Sequence, residues 1–151
     1  MPARSITRLF ADLFDWAIVY AVALIFSIRS ILAFIEAITH PTSVNITTAF
    51  IDAIVTGSFI IIIFIVYFLV LPVNWNGQTI GKKFFKIHVV RKDGKPVDFQ
   101  TMFVREVFGR LLVGILSLGA SIIAESFVML VSDRHQTFHD TLASTQVVDV
   151  E

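Results

Sequence analysis

The sequence predicts an all-α membrane protein. It has two long transmembrane helices, a third apolar helix region and a small β-hairpin. Three observations predict this class. The 151 residues are 56% hydrophobic and only 16% charged, whereas soluble domains average about 25% charged. Two long runs are apolar enough to cross a bilayer, and nothing between Ala53 and Gly81 carries a charge. The charges are also segregated: the formal net charge is +0, yet Lys82, Lys83, Lys86, Arg91, Lys92 and Lys95 crowd into one short stretch.

Residues 1–151 read as a single membrane domain. The spans fall at about 8–37, 46–72 and 111–132, the hairpin at about 83–98 and a tail at 133–151. The absence of cysteine excludes disulfides and thiolate chemistry. The basic residues lie beside apolar runs and not on a soluble face, which argues against a nucleic-acid partner. No short apolar stretch followed by a small-residue cleavage site opens the chain, so the first run reads as a retained span.

The first span opens with Arg8, Asp12 and Asp15. Spacings of four and seven put all three near one helix face. Ionisable groups in a membrane helix are costly and face a protein interior or a watery cavity, so this cluster is the first candidate functional site. Asp15 is expected to be buried and paired with Arg8 or with a basic residue of the Arg105 helix. Arg29, about twenty residues on, reads as an anchor at the far interface. A turn-rich loop from His40 to Asn45 follows, and Asn45 can cap the next helix.

Asp52 lies near the start of the second span. It reads either as a helix-start carboxylate favoured by the macrodipole or as another intramembrane acid. Pro72 is expected to end that span, with Trp75 at the interface. Gly77-Gln78-Thr79-Ile80-Gly81-Lys82-Lys83 has the look of a phosphate loop but fails as one. Three residues separate the glycines where four are needed, Lys83 stands in the Ser/Thr position, and no strand precedes it.

Residues 84–91 read as a strand, Asp93-Gly94 as a two-residue turn, and residues 95–99 as the returning strand. With Arg4 and Arg8, this basic pole is cytoplasmic by the positive-inside rule. Residues 99–112 are amphipathic, with Arg105, Glu106 and Arg110 among apolar positions, and read as an interfacial helix. Residues 111–132 are apolar except for Glu125. They allow one crossing, or a hairpin bent at Ser117–Ser121. The tail holds a short helix candidate and then a strand at Val147-Val148. An isolated strand needs an edge, which places the tail on the side of residues 84–91. His135 and His139 are four apart, a weak metal-ligand spacing. No nucleophile triad or acid pair supports an enzyme, and no cofactor is implied.

Arg8-x-x-Ala11-x-x-x-Asp15, Gly77-Gln78-Thr79-x-Gly81-Lys82, Arg105, and Gln136-Thr137-x-His139-Asp140-x-Leu142-Ala143-x-Thr145 occur in that order. Together they resemble the RDD family of small, mainly bacterial membrane proteins, over almost the whole chain. Arg8 and Asp15 match the family's arginine and first aspartate. Asp140 matches the second, with Asp52 the alternative. Where the family usually has Ala-Gly-Thr, this chain has Ala143-Ser144-Thr145.

The resemblance implies a multi-pass protein of the bacterial inner membrane, and positive charge at Arg4 and Arg8 predicts a cytoplasmic amino terminus. It would transport ions or small solutes, as in cation/proton antiport with sodium, potassium or protons. Arg8, Asp12, Asp15, Asp52, Arg105 and Asp140 are then the coupling candidates. So few helices make a narrow path, which implies a homo-oligomer. The rival reading is a structural or regulatory module. On that view Lys82, Lys83, Lys86, Arg91, Lys92 and Lys95 contact anionic lipid headgroups, and Arg8, Asp15 and Asp140 only lock the fold.

Overall fold

The computed structural model describes residues 3–112 and 137–150. The expected third apolar region and His135 therefore lie almost entirely, or entirely, outside the described residues. The rest is mostly helical, with two long apolar helices and one two-stranded sheet. Contacts divide it into two units, Trp16–Val66 and the combination of Met1–Asp15 with Tyr67–Glu151.

Helix α1 runs Ser5–Thr39 and α2 runs Ser43–Ile65. α1 extends beyond both ends the sequence suggests, and α2 starts a few residues earlier than expected. Between them Thr42, not Asn45, is the N-cap of α2, its hydroxyl accepting from the Asn45 N–H at 3.1 Å. Within the Trp16–Val66 unit, Trp16 meets Phe64 and Phe26 stacks on Phe59. Most side chains of this unit remain exposed, including Ile25, Leu32, Ile54 and Ile61. Such surface suits hydrocarbon and not water.

The second apolar run does not stop at Pro72. It passes through a π-helical turn, Val66–Val70, into α3, Leu71–Asn74. A proline has no N–H to bond the carbonyl four residues back, and the wider turn just before it accommodates that loss. The π turn buries Tyr67, Phe68 and Leu69.

Helix α4, Ile80–Phe84, precedes strand β1, Ile87–Arg91. Helix α5, Phe99–Phe103, continues as a π-helical segment, Val104–Leu112. Helix α6, Phe138–Leu142, leads into strand β2, Thr145–Asp149. β1 pairs antiparallel with β2, Val89 opposite Val147, as the tail strand's need for an edge requires.

The expected hairpin is therefore corrected. The turn at Asp93-Gly94 forms, with Gly94 at φ 78° and its N–H bonding the Arg91 carbonyl at 3.1 Å. Residues 95–98 do not return as a strand. Pro96 cannot donate to a ladder, and Asp98 is taken as the N-cap of α5. The far edge of β1 is closed locally, the Val89 N–H bonding the Gly77 carbonyl at 2.9 Å. The far edge of β2 is closed by the amino terminus, the Ala3 N–H bonding the Val147 carbonyl at 3.0 Å. Under the sheet lies a small core of Ala3, Ala11, Ile87, Val89, Val97, Met102 and Val147.

Candidate functional site

Four short pieces of the chain bring charged side chains against the first turns of α1. The first is α1 itself, which supplies Arg8, Asp12 and Asp15. The second is the glycine-rich loop before α4. Thr79 caps that helix, and Gly81 comes so close to α1 that an added Cβ would lie 2.5 Å from the Ala11 carbonyl oxygen and 2.7 Å from Asp15 Oδ1. Glycine at 81 is thus what lets the loop reach Asp15. The third is the π-helical segment, whose wide turn faces Arg105, Glu106 and Arg110 inward. Gly109 meets His139, where a Cβ would lie 2.5 Å from the histidine's own Cβ. The fourth is α6, which brings His139 and Asp140.

Asp15 is fully buried. Its Oδ1 accepts from the Tyr67 hydroxyl at 2.5 Å and the Gly81 N–H at 2.7 Å. Its Oδ2 accepts from the Thr79 hydroxyl at 2.5 Å and lies 3.7 Å from Lys82 Nζ. The same ammonium donates to Asp12 Oδ1 at 3.0 Å. Asp12 Oδ2 lies 3.5 Å from Arg110, whose Nη1 is 3.0 Å from Glu106 Oε2. Glu106 Oε1 is 3.8 Å from Arg105 Nε, and Arg105 Nη2 is 3.0 Å from Asp140 Oδ1. Arg8 donates to the other oxygen of Asp140. The charges therefore alternate without a break from Asp15 through Lys82, Asp12, Arg110, Glu106, Arg105 and Asp140 to Arg8. Four carboxylates face four cations.

The electrostatics follow from that alternation. At Asp140, burial pushes the carboxyl up, but Arg105, His139 and Arg8 outweigh it and hold the group well below the usual carboxylate range. At Glu106, burial is likewise outweighed by Arg110 and Arg105, with smaller help from Lys82 and His139. Both acids stay ionised while buried.

The structure brings Arg8, Asp12, Asp15, Arg105 and Asp140 into one cluster and leaves Asp52 outside it. Asp52 belongs to the other unit and pairs with Arg29 at 3.3 Å. The expected partner of Asp15 is corrected: Arg8 serves Asp140, and Lys82 with three neutral donors serves Asp15. Lys82 is also corrected as a headgroup contact. It is 3% exposed because α4 turns it inward, while Lys83, one residue on, is exposed and lies 4.5 Å over the Trp75 ring. Lys86, Lys92 and Lys95 are exposed, and Arg91 pairs with Asp93 and Asp98. His139 Nε2 lies 3.0 Å from the Thr137 hydroxyl and 3.5 Å from Arg110. Ser144, where the family usually has glycine, sits at φ 52° after α6, a conformation that favours glycine.

Sequence reasoning missed Tyr67, Thr79 and Glu106 as members of the cluster. The motif around Gly77 was the available signal for Thr79: a capping threonine and two glycines facing a helix with a buried acid.

Two membrane-length apolar helices joined to a buried charge cluster point to a small membrane protein. The chain belongs to the RDD family, whose sequence profile matches residues 2–144. It is similar to the uncharacterized protein YckC of Bacillus subtilis (strain 168), with 36% identity over 89 residues, covering 59% of this chain and 58% of that protein. The chain thus spans little more than half of that relative's length. No solved structure matches.

Proposed function

We propose that this chain is a multi-pass protein of the bacterial cytoplasmic membrane that exchanges protons for monovalent cations through Asp15. One observation carries the reading. Asp15 is a fully buried carboxylate beside a buried ammonium, and that ammonium also holds Asp12, whose side chain is 25% exposed. The linked pair offers a charge a graded route from the more accessible carboxylate to the buried one. Ionisable groups at such positions mark ion pathways and proton relays. The positive-inside rule puts Arg4 and the basic stretch in the cytoplasm.

The test is exchange in liposomes. Purified protein should dissipate an imposed pH gradient when sodium or potassium is added, and Asp15→Asn should not. Asp15→Asn must first show the same gel-filtration profile as wild type. Equal exchange by both proteins removes Asp15 from the mechanism.

A second reading is favoured by a different observation. Asp140 is held by both Arg8 and Arg105, so the cluster ties the two ends of the chain together with no net charge. On that reading the cluster is a structural lock, and the exposed Lys83, Lys86, Lys92 and Lys95 meet anionic lipid. Wild-type liposomes that exchange no cation at all, with folded protein, select this reading.

A further inference from the structure

Arg29 and Asp52 lie outside the cluster, in the Trp16–Val66 hairpin, and their placement is unusual. Each arm of the hairpin is about 36 Å long at 1.5 Å per residue, which matches a bilayer core of roughly 30 Å with its interfaces. Arg29 and Asp52 both sit about ten residues from the turn, roughly 15 Å along the helix axes. They would therefore lie inside the apolar zone, and not at the far interface where its distance from Arg8 alone would put Arg29.

The Arg29 side chain is 83% exposed, and Asp52 is its one partner among the described residues, through Nε at 3.3 Å. At that exposure most of the guanidinium is not covered by the hairpin. A guanidinium facing hydrocarbon at that depth is strongly disfavoured unless another polar group meets it. Ile25, Arg29, Leu32 and Glu36 form one stripe at spacings of four, three and four on α1. Ile25 and Leu32 on that stripe are 68% and 61% exposed.

We propose that a second copy of this chain packs against this stripe, with the two Arg29–Asp52 pairs meeting across a two-fold axis. Each Arg29 then reaches its own Asp52 and the partner copy's Asp52. The ion pair is self-complementary under a two-fold: two guanidiniums and two carboxylates alternate around a neutral square, and neither arginine faces lipid. Arg29 is left incompletely coordinated in a single copy, and the second copy supplies what it lacks.

The inference rests on the membrane reading of the hairpin, and the experiment separates the two. The chain has no cysteine, so single cysteines give a clean background. In native membranes, Leu32→Cys, on the stripe, should oxidise to a disulfide-linked dimer. Leu24→Cys, on another face, should not. Adding Arg29→Asp to Leu32→Cys should cut the cross-linked fraction about tenfold or more, since four acids would then meet. The swap Arg29→Asp with Asp52→Arg should restore it.

If Arg29→Asp fails to accumulate, Arg29→Gln takes its place and must still lower the yield. Equal cross-linking at 24 and 32, or full cross-linking without the Arg29 charge, overturns the proposal. So does a wild-type protein that photobleaches in single steps in liposomes, which would leave Arg29 to lipid phosphates. Loss of the chain from membranes on alkaline extraction would instead defeat the membrane reading itself.

Discussion

At the scale of the residue, each member of the cluster has an opposite charge on both sides, except for the two at its ends. Removing one buried charge strands its neighbours, which typically costs about 3–5 kcal/mol. Asp140 is the member on which the ends of the chain converge, and it gives a prediction with a definite sign. Its folded carboxyl lies below the ordinary value of about 3.9, so the unfolded chain takes up the proton more readily. The stability it contributes is therefore complete above the unfolded value and is lost as pH falls through the folded one. Glu106 acts in the same direction. Melting temperature in detergent should hold steady through neutral pH and fall steeply below about pH 4. Asp140→Asn should melt lower at neutral pH and lose part of that acid limb. An acid limb as steep in Asp140→Asn as in wild type would mean that other groups set it.

At the scale of the element, local signals and long-range pairing pulled the sequence reading in different directions. The Asp93-Gly94 turn is a local signal and it forms. The strand it was expected to return is absent because Pro96 and Asp98 have other uses, and β1 pairs instead with β2, more than fifty residues away. Val89 and Val147 face each other in that ladder. The bonds from Lys92 N–H to the Ser144 carbonyl and from Val150 N–H to the Lys86 carbonyl place them at a non-hydrogen-bonded pair. Such pairs bring Cα atoms to about 4.5 Å, within disulfide range. Val89→Cys with Val147→Cys should therefore form an intrachain disulfide under mild oxidation, seen as a faster band on a non-reducing gel. Shifting one cysteine to Val148 turns it to the opposite face and should abolish the band. A bond that forms equally well in both would mean that the register is wrong.

At the scale of the whole molecule, Arg8 and Asp15 were legible because a charge in an apolar run needs an explanation wherever it occurs. Their partners were not legible. Arg8 and Asp140 are 132 residues apart, and no spacing rule reaches that far. Lys82 was hidden beside Lys83: adjacent positions on a short helix face different ways, and sequence does not say which of two lysines turns inward. The strand at Val147-Val148 was more informative, because a strand must find an edge. Its pairing fixes a relation that hydropathy leaves open. Ala3 bonds Val147, and β2 bonds β1, so the amino terminus, the basic stretch and the carboxyl end share one compact sheet. A hydrogen-bonded sheet cannot be divided across a bilayer. All three must then lie on the same side of any membrane that α1 and α2 cross, the side that the proposed orientation takes to be the cytoplasm. A reporter active only in the cytoplasm should work when fused before Met1 and also after Glu151. A fusion inactive at Glu151 but active at Met1 would place the tail outside. It would also break the β1–β2 pairing on which the sheet, and through α6 the position of Asp140, depends.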